Sequence, residues 1–321
     1  MENNQSTRVE DLSNRIKIEL KKVIVEQEEV MNQAIISLIS GGHVLIEGVP
    51  GLAKTLLIKT LAKTLSLDFK RVQFTPDLMP ADITGTKVFN MQKREFELVK
   101  GPVFTNFLLA DEINRTPPKT QAGLLESMAE NTVSIDGEMI PLPRPYMVFA
   151  TENPLEYEGT YPLPEALVDR FIMKVLIDYP STNGEKEVLM RYNSGFSGND
   201  LDKCGIEVLF NAEDIMACRQ EVQEVKIDEA LVEYIVNIIK ETRNNPAIEI
   251  GSSPRGSIAL LQCSKGCAAL MGRDYVIPED IKSMAFPTLR HRIILKPELE
   301  LEGIRPDEVI NDILSKIKVP R

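Results

Sequence analysis

Along residues 9–40 the apolar positions fall one helical turn apart: Leu12, Ile16, Leu20 and Val23, then Val30, Ala34, Ile35 and Leu38. That spacing predicts amphipathic helix. HVLIE (43–47) is a short continuous apolar run and predicts a buried strand. Beyond a glycine-bearing loop, TLLIKTLAKTL (55–65) returns to helical spacing at Leu57, Leu61 and Leu65. DFKRVQF (68–74), NFLLADE (106–112), YMVFAT (146–151) and FIMKVLI (171–177) predict four further strands. TQAGLLESMAE (120–130) predicts a helix with Leu124, Leu125 and Met128 on one side. Apolar strands alternating with helices predict a parallel sheet covered on both faces.

Two interruptions read as hairpins. TKVFN and EFELV flank MQKR, giving one over 86–99. TVSIDGEMIPL (132–142) carries Asp136-Gly137, a type I′ turn signal. After Tyr179-Pro180 the strand signal ends. Residues 184–194, 211–222, 228–243, 255–272 and 278–290 all predict helices, with GFSGNDLDKCG (195–205) as a loop. Pro180, Ser181, Asn183 and Gly184 mark the change. The chain thus reads as an α/β core over 1–180 and an all-α unit over 181–321.

Composition narrows the class. A chain of 321 residues, 43% hydrophobic and 26% charged, reads as globular and soluble. Its formal net charge of -11 disfavours non-specific nucleic-acid binding, which needs a basic footprint. The polar start MENNQSTRVEDLSNR lacks the apolar stretch of a secretory signal. No apolar run reaches the roughly 18 residues of a membrane span. A cytoplasmic protein is expected. Cys263 and Cys267 lie four apart on one helical face, with Cys204 and Cys218 elsewhere. A zinc site would need further ligands nearby, and His43 and His291 are distant in sequence, so buried reduced thiols are expected.

The candidate chemistry lies at the ends of the predicted strands. GVPGLAKT (48–55) is a phosphate-binding loop in all but one position, since Ala53 stands where the pattern has glycine. The segment Gly48, Val49, Pro50, Gly51, Leu52 and Ala53, with Lys54, Thr55 and Leu56 opening the helix, would frame the phosphates with backbone groups and a helix N-terminus. Lys54 would supply charge at the outer phosphates, and the Thr55 hydroxyl would bind Mg²⁺. Ala53 sits where the helix begins, so helical backbone angles are expected for it. The loop alone also fits an ordinary strand-to-helix turn.

FLLADE places Asp111 and Glu112 at the C-terminal end of a buried strand, where open α/β sheets bind ligands. Asp111 could hold Mg²⁺ through water, and Glu112 could deprotonate the attacking water. FATENP ends another strand with Asn153, whose amide could bond the γ-phosphate or that water. In PEALVDRF, Arg170 could be exposed and reach a neighbouring subunit's γ-phosphate, or could pair with Asp169 at the surface. In GSSPRGSIAL, Arg255 falls in the first turn of a helix, where the dipole disfavours a cation unless an anionic ligand lies opposite.

In this order, GVPGLAKT, LLADEINRTPPKTQAGLLESMAE, FATENPLEYEGTYPLPEALVDRF and SPR resemble the MoxR family of AAA+ ATPases over nearly the whole chain. The resemblance implies a P-loop AAA+ core with a five-stranded parallel sheet and a helical lid, binding ATP or ADP with Mg²⁺. Lys54 and Thr55 then match Walker A, Asp111 and Glu112 match Walker B, and Asn153 matches sensor 1. Arg170 matches the arginine finger and Arg255 matches sensor 2. The hairpins match the helix-2 insert and the pre-sensor-1 hairpin. An added helix before the lid shifts the lid, so that Arg255 could act on a neighbour's nucleotide. Ala is common in the family at position 53. VIVEQEEV (23–30) resembles the adenine-side segment, putting Val25 and Gln27 near the base, with Glu26 where the family usually has Gly.

The resemblance implies a homo-oligomer, a hexamer, that remodels or matures client proteins, often with a von Willebrand A domain partner. Three alternatives are a magnesium-chelatase-like motor subunit, a nucleic-acid motor, and a nucleotide-gated binding module with little turnover. The ADEINR and SPR contexts disfavour the first, the net charge the second, and the intact Glu112, Asn153 and Arg170 the third.

Overall fold

The computed structural model describes residues 7–154, 159–198 and 200–320. Residues 155–158 of the FATENPLEYEGTYPLPEALVDRF stretch, Asn199 of the 195–205 loop and the first six residues of the polar N-terminus lie outside the described residues.

Two helices, Arg8–Lys21 and Glu28–Ser40, open the chain. The helical periodicity over 9–40 is broken between them at Glu26 and Gln27, both left-handed at φ 58° and 59°. Eleven strands then follow in chain order: β1 (His43–Glu47), β2 (Phe69–Gln73), β3 (Gly85–Asn90), β4 (Glu95–Lys100), β5 (Phe107–Asp111), β6 (Thr132–Ile135), β7 (Glu138–Pro141), β8 (Met147–Glu152), β9 (Phe171–Leu176), β10 (Ile248–Ile250) and β11 (Ile294–Leu295).

Five of them form the parallel sheet, in the order β2-β5-β8-β1-β9. β5 is apolar and buried through Ala110 and β8 through Ala150, because both faces are covered. Phe107 and Phe149 meet edge-on across these strands, ring centroids 5.2 Å apart. On one face the first two helices, the helix Lys54–Thr64 and the lid helices share a single core, in which Leu57, Leu61 and Leu65 are buried. On the other face Leu124 and Met128 of the helix Gly123–Glu130 pack with Leu108 and Val148. Burying each such side chain contributes about 1.5–3 kcal/mol.

β3–β4 and β6–β7 are the two antiparallel hairpins. The second turns through Asp136 (φ 50°) and Gly137 (φ 83°), the left-handed pair a type I′ turn requires. Lys87 of β3 bonds Glu138 of β7 at 2.8 Å and ties the hairpins together.

A linker helix, Thr182–Asn193, follows the sheet. Beyond it, among the described residues, come the helices Ala212–Glu224, Glu229–Asn244, Pro254–Leu270, Pro278–Leu289, Pro297–Leu301 and Pro306–Lys316, which carry the helical lid. The lid also carries the small antiparallel pair β10–β11, too short to leave a period-two signature. The four cysteines are free thiols. Burial pushes Cys218 and Cys263 up to about 12 and Cys267 to about 11, so these three stay protonated and inert.

Candidate active site

The C-terminal ends of β1, β5 and β8 lie side by side, and the loop 48–53 leaves β1 there, with Gly48 N donating to the Glu152 carbonyl at 3.3 Å. Gly48 has no space for a side chain, since a Cβ there would lie 2.8 Å from the Ile177 carbonyl. Gly51 is left-handed at φ 89°. Ala53 is left-handed too, at φ 57° and ψ 20°. This corrects the expectation of helical angles at Ala53. The position keeps a glycine-like backbone, and the alanine methyl is carried at a steric cost of about 1 kcal/mol.

Lys54 heads the helix Lys54–Thr64, and its Nζ donates to the Gly48 carbonyl at 2.5 Å. Burial lowers its pKa, while the carboxylates of Asp111, Glu112 and Glu47 hold it up. The ammonium therefore faces the acids at the neighbouring strand ends. Thr55 is half-buried in the same first turn.

Asp111 ends β5. Its Oδ1 accepts from Thr151 Oγ1 of β8 at 2.6 Å, and its Oδ2 accepts from Arg71 Nε and Nη2 at 2.9 and 2.5 Å. Glu112 is left-handed at φ 55°. Its backbone N donates to the same Thr151 hydroxyl at 2.8 Å. Its carboxylate accepts from Gln73 Nε2 at 2.7 Å and pairs with Arg115 Nε at 2.8 Å. Asn153 is buried just beyond β8. Thr151, Arg71 and Gln73 carry no local sequence signal for this site, because each owes its place to strand neighbours in the sheet. At the adjoining tips Lys174 lies between Glu47 (2.5 Å) and Glu152 (3.6 Å). Burial raises the pKa of Glu152, and Lys174 opposes the rise. Among the described residues no three His, Cys, Asp or Glu side chains form a metal cage.

In the segment between the first two helices, Gln27 donates to the Asp178 carbonyl at 2.8 Å. With Leu176, Asp178, Phe286 and Arg290 it lines a cleft of about 390 Å³ between this segment and the lid. Val25 is buried beside it in sequence and is not part of the lining. Glu26 turns away, to the Ser181 hydroxyl and amide at 2.6 and 2.8 Å.

Arg170 and Arg255 are elsewhere. β9 runs parallel to β1 with Phe171 opposite His43 and Leu176 opposite Glu47. Arg170 thus stands at the opposite end of these strands from the loop, about 16 Å away along the sheet. It is half-buried, and its Nε is buried with no hydrogen-bond partner among the described residues. Arg255 is at the same end, and the anion opposite it is the Asp169 carboxylate, 3.6 Å away. Asp169 pairs with Arg255 and Arg292, so it is not the partner of Arg170 that the sequence also allowed.

The model of the ATPase family associated with various cellular activities (AAA) matches residues 43–173, and that of the AAA lid domain matches residues 240–313. Uncharacterized protein YeaC of Bacillus subtilis is 46% identical over 301 residues, 94% of this chain and 92% of its own. Chaperone MoxR1 of Mycobacterium tuberculosis is 40% identical over 312 residues, 94% of this chain and 81% of its own. The crystal structure of an inferred ATPase from Cytophaga hutchinsonii superposes with a TM-score of 0.88 at 44% identity, covering 98% of this chain and 96% of that one. With both AAA models matched and such identity extending over almost its full length, this chain belongs to the MoxR family of AAA+ ATPases.

Proposed function

We propose that this ATPase hydrolyses ATP with Mg²⁺ at sites completed between the subunits of a homo-oligomer, a hexamer, and that the resulting lid motion remodels partner proteins. The observation that carries this reading is the separation of Arg170 from the loop of its own chain. A half-buried arginine at the far end of β9, with no ion-pair partner among the described residues, suits an anion brought by a neighbour.

In this reading the loop Gly48–Ala53 and Leu56 frame the nucleotide, Gln27 and Val25 flank the base, and Lys54 binds the outer phosphates. Lys54 Nζ must first leave the Gly48 carbonyl. Thr55 and Asp111 fit Mg²⁺, because this ion is bound through one or two protein oxygens while keeping waters and substrate phosphates. Bound there, the ion would neutralise phosphate charge during the transfer to water. Glu112 takes the proton of the attacking water, and Asn153 orients that water or the γ-phosphate. Arg170 stabilises charge in the neighbour's transition state, with Arg255 beside it.

Remodelling is supported by the printed name of the chaperone relative and by the exposed apolar hairpin surface of Val88, Phe89, Met91, Phe96 and Met139. Phe89 and Phe96 stack edge-on in the open, 5.3 Å apart. A client protein or a von Willebrand A domain partner is what such a surface would meet. The free thiols suit a cytoplasmic setting.

Phosphate release tests the chemistry. Glu112→Gln should still bind ATP, with turnover reduced by about 10²–10⁴-fold. Full turnover would remove Glu112 as the base. The ATP-loaded Glu112→Gln protein should also retain a partner protein that Lys54→Ala does not, and equal recovery with both would count against remodelling.

A further inference from the structure

Where the lid meets the start of β9, one buried arginine engages more of the chain than any group in the active site. Arg292 Nε donates to Asp169 Oδ1 at 3.0 Å. Its Nη2 donates to the carbonyls of Asp169 and Phe171 at 3.1 and 2.7 Å. Its Nη1 donates to the carbonyls of Ile172, at 3.1 Å, and Thr288. All five N–H groups of a guanidinium are thereby used. Two of the bonds bracket Arg170, holding the carbonyls of the residues just before and just after it.

The Asp169 carboxylate carries the arrangement into the next lid helix. It accepts from Ser253 Oγ at 3.1 and 3.0 Å and pairs with Arg255 at 3.6 Å. Ser253 caps the helix Pro254–Leu270, whose first turn holds Arg255. Gly256 lets that turn close on the cluster, since a Cβ there would lie 2.0 Å from Ser252 Oγ and 3.2 Å from Arg292 Cδ. The contrast with Arg170 is direct: Arg292 is fully bonded, whereas the buried Nε of Arg170 has no hydrogen-bond partner among the described residues.

We infer that Asp169 and Arg292 are positioning residues that lock Arg170 of the core and Arg255 of the lid into one unit, presented together to the nucleotide of a neighbouring subunit. The inference rests on the reading that Arg170 acts in trans. The lock explains why a cation is tolerated in a helix's first turn, because Asp169 offsets the dipole. It also leaves the two arginines different tasks. Arg255, more than half exposed and loosely paired, can exchange Asp169 for a phosphate, while Arg292 keeps the backbone on either side of Arg170 in place. A shift of the lid then moves both arginines at once.

Mixed oligomers of the full chain test this, with phosphate release as the readout and native mass spectrometry to show mixing. Subunits with Arg170→Ala keep their own site but offer no finger, whereas Lys54→Ala subunits offer a finger but have no working site. Mixing the two should restore turnover. Failure to do so, in oligomers shown to be mixed, would overturn the trans reading itself. Given restoration, Asp169→Asn or Arg292→Lys is added to one partner at a time. In the Lys54→Ala subunit, which donates the finger, either change should lower the restored turnover at least tenfold. In the Arg170→Ala subunit it should change turnover less than twofold. Equal losses in both placements would show mere structural damage and overturn the inference, as would no loss in the donor or a loss confined to the acceptor. Asp169→Asn keeps the side-chain shape and carries the test if Arg292→Lys does not fold.

Discussion

Glu26 and Ser181, 155 residues apart in the chain, form a two-point clamp: Glu26 Oε1 accepts from the Ser181 hydroxyl and Oε2 from the Ser181 amide. Ser181 is also the N-cap of the linker helix. The carboxylate thus ties the segment between the first two helices to the start of the helix Thr182–Asn193. The position has φ 58°, a backbone that glycine adopts at the least cost. Gly184 completes the fit, because a Cβ on it would lie 2.6 Å from the Glu26 carboxylate. Gly184→Ala should therefore lower the melting temperature of the otherwise natural chain but raise it in a Glu26→Ala background, where the usual advantage of alanine in a helix returns. Equal effects in both backgrounds would contradict the clamp.

The same clamp has a pH dependence. Hydrogen bonds from Ser181 hold the Glu26 carboxyl below its ordinary value. Its contribution to stability is present above the unfolded-state pKa and is lost as pH falls through the folded-state one. The melting temperature of Glu26→Gln should lie below that of the natural chain at pH 7, and the gap should close in acid. A gap that widens towards acid would have the wrong sign.

Ala53 makes a prediction about the phosphate loop. Glycine suits its left-handed backbone better, so Ala53→Gly should leave ATP binding intact and stabilise the chain by up to about 1 kcal/mol. A β-branched residue tolerates that backbone poorly, so Ala53→Val should cost about 1–3 kcal/mol and weaken ATP binding. Denaturant titration and nucleotide titration read the two effects. Strong nucleotide binding by Ala53→Val would show that the left-handed turn is not needed.

Arg71 competes for the Asp111 carboxylate that we propose for Mg²⁺. Both its bonds go to Asp111 Oδ2, while Thr151 holds Oδ1. Arg71→Ala should lower the Mg²⁺ concentration needed for half-maximal ATPase activity. A higher requirement would mean that Arg71 orients Asp111 for the metal.

His43 is a buried pH-dependent element. Its Nδ1 accepts from the Val148 amide at 3.0 Å, so Nε2 carries the proton and donates to the Met128 carbonyl at 3.0 Å. Burial, the largest cause, pushes its pKa down to about 4 from 6.5, against the pull of the Met128 carbonyl and helped by nearby Arg219 and Arg170. The unfolded chain binds this proton first, so His43 stabilises the fold above pH 6.5 and loses about 3 kcal/mol of that contribution as pH falls to 4. His43→Gln should be less stable at pH 7 and show a flatter profile between these values. An unchanged slope in denaturant titrations would exclude His43 as its source.

Much of this protein is written locally. HVLIE, FLLAD and FIMKVL are apolar because each strand is covered on both faces, and Asp136-Gly137 supplies the two left-handed residues of its turn. Their order, with GVPGLAKT and the strand-end acids, makes the α/β core, the helical lid and the family legible in the sequence. Such patterns report backbone preference and burial within a few residues. They do not choose partners across the fold. Tertiary structure alone decided that Glu26 meets Ser181, that Thr151 joins Asp111 to the Glu112 backbone, and that Arg292 reaches Asp169 from 123 residues away. It also decided that Ala53 is left-handed, because the closure of the loop between strand and helix outweighs the alanine's own preference. A hydrogen bond depends on which atoms the packed elements bring within about 3 Å, and that is a property of the assembled layers, not of any one segment.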